Sequence, residues 1–304
     1  MKTRLNKKKK IIISVCSVAV AAVIAVVLFI FLNPKQEIFT LADAGLKPTD
    51  EITLIAHRGV TYHAPENTIE SAQKAAGYKY THVEFDIRQT KDGVWVLMHD
   101  ENIKRTTDGK GKVNELTYKQ ILEHQIDKNC KDYSLVAVPT LDEMLSLCIE
   151  LNLHPVIEIK ESGTDFIEPL MNFIGYRINA CTIISFDREQ VELISNLISE
   201  AKTSLTSADV ELYWLTDDLS DTTLETAKTN AAVGVSFNGN KAGTAEEIKK
   251  FTDAGIKLAT WTIDKPERLA ELYSLGIRTF TTNTITYDGT FTDPTQEVTT
   301  HGRR

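Results

Sequence analysis

Apolar and polar positions divide most of the chain into runs of two kinds. Short apolar runs rich in β-branched residues lie at 52–57, 82–87, 155–159, 181–186, 210–215, 232–237, 257–262 and 277–281. Their length and composition predict strands. Between them, apolar residues recur at helical spacing over 67–76, 140–151, 164–175, 187–200, 221–229, 244–254 and 266–275, which predicts helices. Eight strands alternating with helices predict an α/β chain closed into a (β/α)8 TIM barrel. One stretch breaks the alternation. After the second strand, Lys91-Asp92-Gly93 signals a hairpin into the apolar arm 94–98, and a polar loop with Lys104, Lys110, Lys112, Lys119, Lys128 and Lys131 follows. Residues 88–137 therefore read as a small insertion.

The first 50 residues carry a different pattern. Lys2, Arg4 and Lys7 to Lys10 precede 22 residues, Ile11 to Leu32, without a single charge. At 1.5 Å per residue, such a run crosses a bilayer core of about 30 Å. It ends on bulky residues rather than the small ones of a cleavable leader, and Cys16 lies too early in it for lipid attachment at its end. The expected order is a basic cytoplasmic tail (1–10), one transmembrane helix (11–32), a linker (33–50), a barrel (51–290) and a loose tail (291–304). Lysines ahead of the apolar run should stay in the cytoplasm, which sends the barrel outside the cell.

Composition narrows the function. A formal net charge of −8 disfavours a nucleic-acid partner, and no basic, aromatic-interleaved patch appears beyond the first ten residues. Cys16, Cys130, Cys148 and Cys181 show no CxxC spacing, so neither a disulfide framework nor a zinc site is expected.

The chemistry concentrates between His57 and Asp100. Side chains alternate along a strand, so Glu84 and Asp86 share one face. Two carboxylates there repel unless a cation or a proton neutralises them. A reversal at Asp92-Gly93 would, by counting, return His99 opposite Glu84. His57 reaches the same place if strands 52–57 and 82–86 are parallel neighbours. Barrel enzymes work at the C-terminal ends of their strands, and His57, Glu84, Asp86, Glu158, Lys160 and Trp261 all fall at or near such ends. Glu158 and Lys160 repeat the i, i+2 arrangement and add a third carboxylate and a second cation.

The order His57-Arg58-Gly59, Glu66-Asn67-Thr68, Glu84-x-Asp86, Asp92-Gly93, His99-Asp100 resembles the glycerophosphodiester phosphodiesterase family. The resemblance continues through Arg105-Thr106-Thr107, Val138-Pro139-Thr140-Leu141, Glu158-Ile159-Lys160, Ser185-Phe186-Asp187 and Trp261-Thr262, covering about residues 52 to 290. It implies the same barrel, hydrolysis of glycerophosphodiesters to sn-glycerol 3-phosphate and an alcohol, and Glu84, Asp86 and Glu158 as metal ligands. Their all-oxygen set suits Mg²⁺ or Ca²⁺. Arg58 offers a planar fork and Lys160 a point charge to a phosphate. His57 and His99 are the acid and base, in an order the sequence leaves open. Glu66 contacts a substrate hydroxyl or a ligand water, or else has a structural role, and Trp261 walls the glycerol pocket or packs the barrel. Asn67 reads as a helix cap. Asn283 stands where the family often has an aspartate, a departure that puts a role for it in doubt. His63, His82, His124 and His154 are expected to be non-catalytic. Substrates in view are small glycerophosphodiesters or a polyglycerol phosphate polymer. The rival readings are a phospholipase acting on lipid or lysolipid phosphodiesters and an inactive surface binding module.

Overall fold

The computed structural model describes residues 37–126, 136–206, 209–230 and 232–294. The expected transmembrane run 11–32, its basic tail and the residues from 295 lie outside them. Among the described residues, no helix is long and apolar enough to cross a membrane.

Eight parallel strands close the barrel: β1 (Thr53–Ala56), β2 (His82–Gln89), β3 (His154–Ile159), β4 (Cys181–Ser185), β5 (Val210–Thr216), β6 (Gly234–Asn238), β7 (Leu258–Trp261) and β8 (Thr279–Thr282). Each pairs with its sequence neighbour, and β8 returns to β1 with Thr279 opposite Thr53 and Thr282 opposite Ala56. Each of the eight apolar runs overlaps one of these strands, with ends that differ by at most two residues where the strand extends past the run. Among the described residues, seven helices alternate with them: α1 (Ile69–Gly77), α2 (Leu141–Glu150), α3 (Ile167–Arg177), α4 (Arg188–Ser199), α5 (Asp221–Ala227), α6 (Ala245–Asp253) and α7 (Pro266–Ser274).

Alternation sorts each strand's side chains between two cores. Leu54, Phe85, Ile157, Ile183, Phe237 and Phe280 point outward and are buried beneath the helices. Ile55, Val156, Ile184, Tyr213, Leu215 and Ala259 pack inside the barrel. The inner packing is thin. A cavity of about 240 Å³ lies on one side of Ile184, Ser236 and Thr281, and another of about 340 Å³ lies on the other side of the same residues.

Three expectations change in detail. Residues 39–44, read as linker, form a two-residue strand, Phe39–Thr40, parallel to Ile285–Thr286, and a 3-10 turn with Leu41 fully buried. The insertion is more than a polar loop: Val96, Met98, Ile103, Val113, Ile121, Ile126, Val136 and Val138 form an apolar cluster of its own. Its return arm, Trp95–Leu97, pairs with β2 one residue away from the expected register, with Leu97 opposite Ile87. The reason is the turn. Three residues, Lys91 to Gly93, separate the bonded pair Thr90 and Val94, and Gly93 takes φ +83° at its end. The extra residue moves His99 off Glu84, and pairing ends as Met98 N–H donates to the Asp86 carbonyl (3.0 Å).

Candidate active site

The three carboxylates arrive on adjacent strands. Asp86 of β2 lies directly across the ladder from Glu158 of β3, and Glu84 precedes Asp86 on the same inward face. One ligand atom from each of Glu84, Asp86 and Glu158 falls within 4.8 Å of the others, and all three residues are buried.

Positive charge offsets them unevenly. Arg58 Nε lies 3.1 Å from Asp86 Oδ2, and Lys160 Nζ lies 3.2 Å from Asp86 Oδ1 while also bonding Glu158. Burial opposes ionisation of Asp86, but Arg58 and Lys160 outweigh it and hold its pKa below the usual carboxylate value. Glu84 fares differently. Burial first, then Asp86 and Glu158, push it well above the ordinary range. Burial and Asp86 likewise raise Glu158 to about 7. Glu84 Oε1 is buried without a hydrogen-bond donor among the described residues. Three converging carboxylates with an orphaned oxygen have the donor chemistry of a divalent-cation site.

The turn after β1 is shaped for this site. Arg58 adopts φ +57°, and its backbone N–H donates to Glu84 Oε2 (2.8 Å). Gly59 follows at φ +78°, where an added Cβ would come 2.3 Å from Ser71 Oγ. Asn67, also at φ +57°, is not the helix cap expected from sequence. Thr68 caps α1, its side chain accepting from Ser71 N–H. Asn67 instead grips Asp86 from both sides: Nδ2 donates to Asp86 Oδ2 (2.8 Å), and Oδ1 accepts from Asp86 N–H (3.0 Å).

Both histidines line the 240 Å³ cavity with Arg58, Glu84, Glu158, Lys160, Phe186 and Trp261. His57 Nδ1 lies 2.8 Å from Asn283 Oδ1. Asp264 accepts from both Asn283 N–H (2.7 Å) and Nδ2 (2.8 Å), so the amide oxygen must face His57. That fixes the proton on Nδ1 and leaves Nε2 as an acceptor, 4.0 Å from Glu84. Burial, then Arg58, lowers the His57 pKa to about 4. His99 Nδ1 sits 2.7 Å from Asp100 Oδ1, whose acidity Arg105 strengthens to a pKa of about 2. Burial also lowers the His99 pKa, against the attraction of Asp86 and the Asp100 hydrogen bond.

Glu66 turns out to be engaged by protein. Oε1 accepts from Arg58 Nη1 (3.0 Å) and Arg105 Nη2 (2.7 Å), and Oε2 from Arg105 Nη1 (2.7 Å). Neither a substrate hydroxyl nor a ligand water is needed to account for it. Trp261 lines the cavity, with its Nε1 on the Ser236 carbonyl (3.0 Å) and Phe186 edge-on at 5.4 Å. Sequence reasoning passed over Arg88, Arg105, Phe186 and Asp264 as site residues. Arg88 ties the return arm down by donating to the carbonyls of His99 (2.9 Å) and Lys160 (3.0 Å). His82 and His154 line the opposite cavity, His63 stacks on Tyr78, and His124 stands beside Asp108, so none of the four lines the 240 Å³ cavity.

Residues 57–286 match the glycerophosphoryl diester phosphodiesterase family, and the chain belongs to that family. It is similar to human glycerophosphodiester phosphodiesterase 1, at 35% identity over 167 residues, 53% of this chain and 50% of the relative. A glycerophosphodiester phosphodiesterase of Bacillus subtilis matches at 28% identity over 79% of this chain and 86% of its own length. The chain thus spans about half or less of the mammalian relatives it matches, and more of the bacterial one. In fold it resembles an Oleispira antarctica phosphodiesterase solved with the product sn-glycerol-3-phosphate (TM-score 0.67, 20% identity, 80% of this chain and 96% of that one).

Proposed function

We propose that the chain hydrolyses glycerophosphodiesters to sn-glycerol 3-phosphate and an alcohol, with a divalent cation and two histidines. The observation that carries this reading is the cavity itself. Three buried carboxylates, one with an orphaned oxygen, lie between two imidazoles and two cations in 240 Å³ at the C-terminal ends of the strands.

Glu84, Asp86 and Glu158 would hold the ion, and their oxygen donors fit Mg²⁺ or Ca²⁺. When bound, it supplies neutralising charge to the phosphate oxygens. The protein's own groups do the rest. Arg58 and Lys160 line the cavity and bind the phosphate, adding fixed positive charge where negative charge grows in the transition state. His57, neutral and with Nε2 free to accept, takes the proton of the attacking water or of the neighbouring glycerol hydroxyl. His99 gives a proton to the departing alkoxide. Its Nδ1 faces the ionised Asp100, which favours the imidazolium, whereas the amide at His57 carries no charge. Phe186 and Trp261 form an apolar wall for the organic part of the substrate.

The test is a panel of glycerophosphocholine, glycerophosphoethanolamine, glycerophosphoglycerol and polyglycerol phosphate, assayed for sn-glycerol 3-phosphate with Mg²⁺, Ca²⁺ and chelator. Release from none of the four removes the activity, and undiminished turnover in excess chelator removes the cation. The basic cluster ahead of Ile11–Leu32 further supports a single-pass membrane protein with its barrel outside the cytoplasm. Protease added to wall-stripped cells should digest the barrel. Protection until lysis, or a barrel found wholly in the soluble fraction, contradicts that placement.

A further inference from the structure

Besides His99, which lines the cavity, the insertion bears on the site through a side chain that does not line it. Arg105 closes the 3-10 turn Ile103–Arg105. The turn is fixed from below, because Ile103 is buried in the insertion's own cluster and Thr107 Oγ1 donates to the Ile103 carbonyl (2.8 Å). From that base the guanidinium meets two carboxylates at once. Its Nε and Nη2 donate to Asp100 (2.6 and 3.1 Å), while Nη1 and Nη2 donate to Glu66 (both 2.7 Å). Asp100 in turn faces His99 Nδ1 at 2.7 Å. Glu66 is anchored independently on Arg58, at 3.0 Å, and Arg58 also reaches Asp86.

We infer that Arg105 is a positioning residue: braced on Glu66, it holds Asp100 so that His99 keeps Nδ1 toward the carboxylate and Nε2 toward the substrate. Asp100 and His99 follow the last residue of the return arm, where ladder pairing has ended, so backbone hydrogen bonding alone does not orient them. A planar fork can serve two carboxylates in fixed directions, and an ammonium cannot. The inference rests on the proposed role of His99. It assigns Arg105 no contact with substrate. Arg58 keeps Asp86 and Glu66 when Arg105 is lost, so substrate binding should largely survive.

The test combines Arg105→Ala, Arg105→Lys, His99→Ala and Arg105→Ala/His99→Ala in the full chain, with kcat and KM measured on the best substrate of the panel and thermal unfolding in parallel. Each Arg105 variant should lose roughly 10–100-fold in kcat, the range typical of residues that orient a functional side chain, with KM within about threefold of wild type. The double variant should be no more than about threefold slower than His99→Ala, because Arg105 has nothing left to position. A loss in the double variant equal to the product of the single losses overturns the inference. So does a loss confined to KM, or a fully active Arg105→Lys. If Arg105→Ala unfolds, Arg105→Lys, which retains the charge, carries the same comparison. A fully active His99→Ala instead overturns the proposed acid itself and this inference with it. A crippled His99→Ala beside an independent Arg105→Ala overturns this inference alone.

Discussion

Replacing Asn67 by alanine tests whether Asp86 is held from behind as described. The amide supplies one hydrogen bond to the Asp86 carboxylate and receives another from its backbone N–H, at a site only 3% exposed. Loss of the bond to a charged acceptor costs about 1.5–3 kcal/mol, and a buried N–H left unpaired costs about 1–3 kcal/mol. Alanine at φ +57° adds about 1 kcal/mol, because asparagine tolerates the left-handed region and alanine does not. Such terms overlap, and a total of about 4 kcal/mol is expected, or about 10 °C in Tm for a barrel of this size. Glycine separates the backbone part from the side-chain part. It takes the positive φ freely, so Asn67→Gly should be at least as stable as Asn67→Ala, although glycine ordinarily costs more by about 0.5–1 kcal/mol. Thermal and urea unfolding measure the stabilities. Calorimetric titration with Mg²⁺ or Ca²⁺ should show affinity down by roughly tenfold, as when a partner that orients a metal ligand is removed. An alanine variant that melts within about 2 °C of wild type would refute the clamp, and one that exceeds the glycine variant by the ordinary margin would refute the backbone contribution.

The remaining expectations follow from the same cavity. Without a cation, Glu84→Gln should melt higher than wild type at neutral pH, since it relieves the cost of burying an ionisable carboxyl beside Asp86 and Glu158, and it should lose the Tm gain that a divalent cation gives wild type. A wild-type Tm indifferent to cation and chelator would sink the metal site. Glu158 has its pKa raised from 4.5 to about 7, above the unfolded value. In the cation-free protein its contribution to stability is therefore complete below about pH 4.5 and lost as pH rises through about 7. Cation binding requires the carboxylate, so binding at pH 6.5 should release protons, measurable by calorimetry in buffers of different ionisation heat; no release means Glu158 is already charged. His57→Ala and His99→Ala should each lower kcat by roughly 10²–10⁴-fold while still binding the cation. A nitrophenyl leaving group should restore only His99→Ala, and equal losses on both substrates contradict the division of labour.

What the sequence disclosed followed from periodicity and adjacency. The eight strands were visible because their outward residues are mostly apolar, and the i, i+2 pairs Glu84/Asp86 and Glu158/Lys160 placed the charged residues on one inward face. The hairpin register was missed by one because two- and three-residue turns both end in Asp-Gly with the glycine at positive φ, and they differ at Asp92, which a two-residue type I′ turn would also hold at positive φ and which is not left-handed here. Asn67 and Thr68 are both good caps by composition, and the choice was made by Asp86, 19 residues away. The brackets around the histidines were hidden for the same reason. Asp264 and Asn283 meet His57 from the far end of the chain, and nothing local marks a surface-like Arg105 as the partner of both Glu66 and Asp100.

The rim of the barrel is divided by strand. His57, Glu84, Asp86, Glu158 and Lys160 belong to β1, β2, β3 and the residues directly after them, whereas Phe186, Leu215 and Trp261 come from β4, β5, β7 and their margins. The first half is closed to change in length, because Asn67 N–H returns to the Arg58 carbonyl (3.1 Å) and pins the intervening loop at both ends. Around β4 and β5 no such backbone tie to these charged groups occurs among the described residues, whereas Asp264 after β7 holds Asn283 against His57, and Phe186 stands half exposed at the edge. On the proposed reading, rebuilding the β4 and β5 connections would change which alcohol the cavity accepts, while the charged groups of β1 to β3 keep their places.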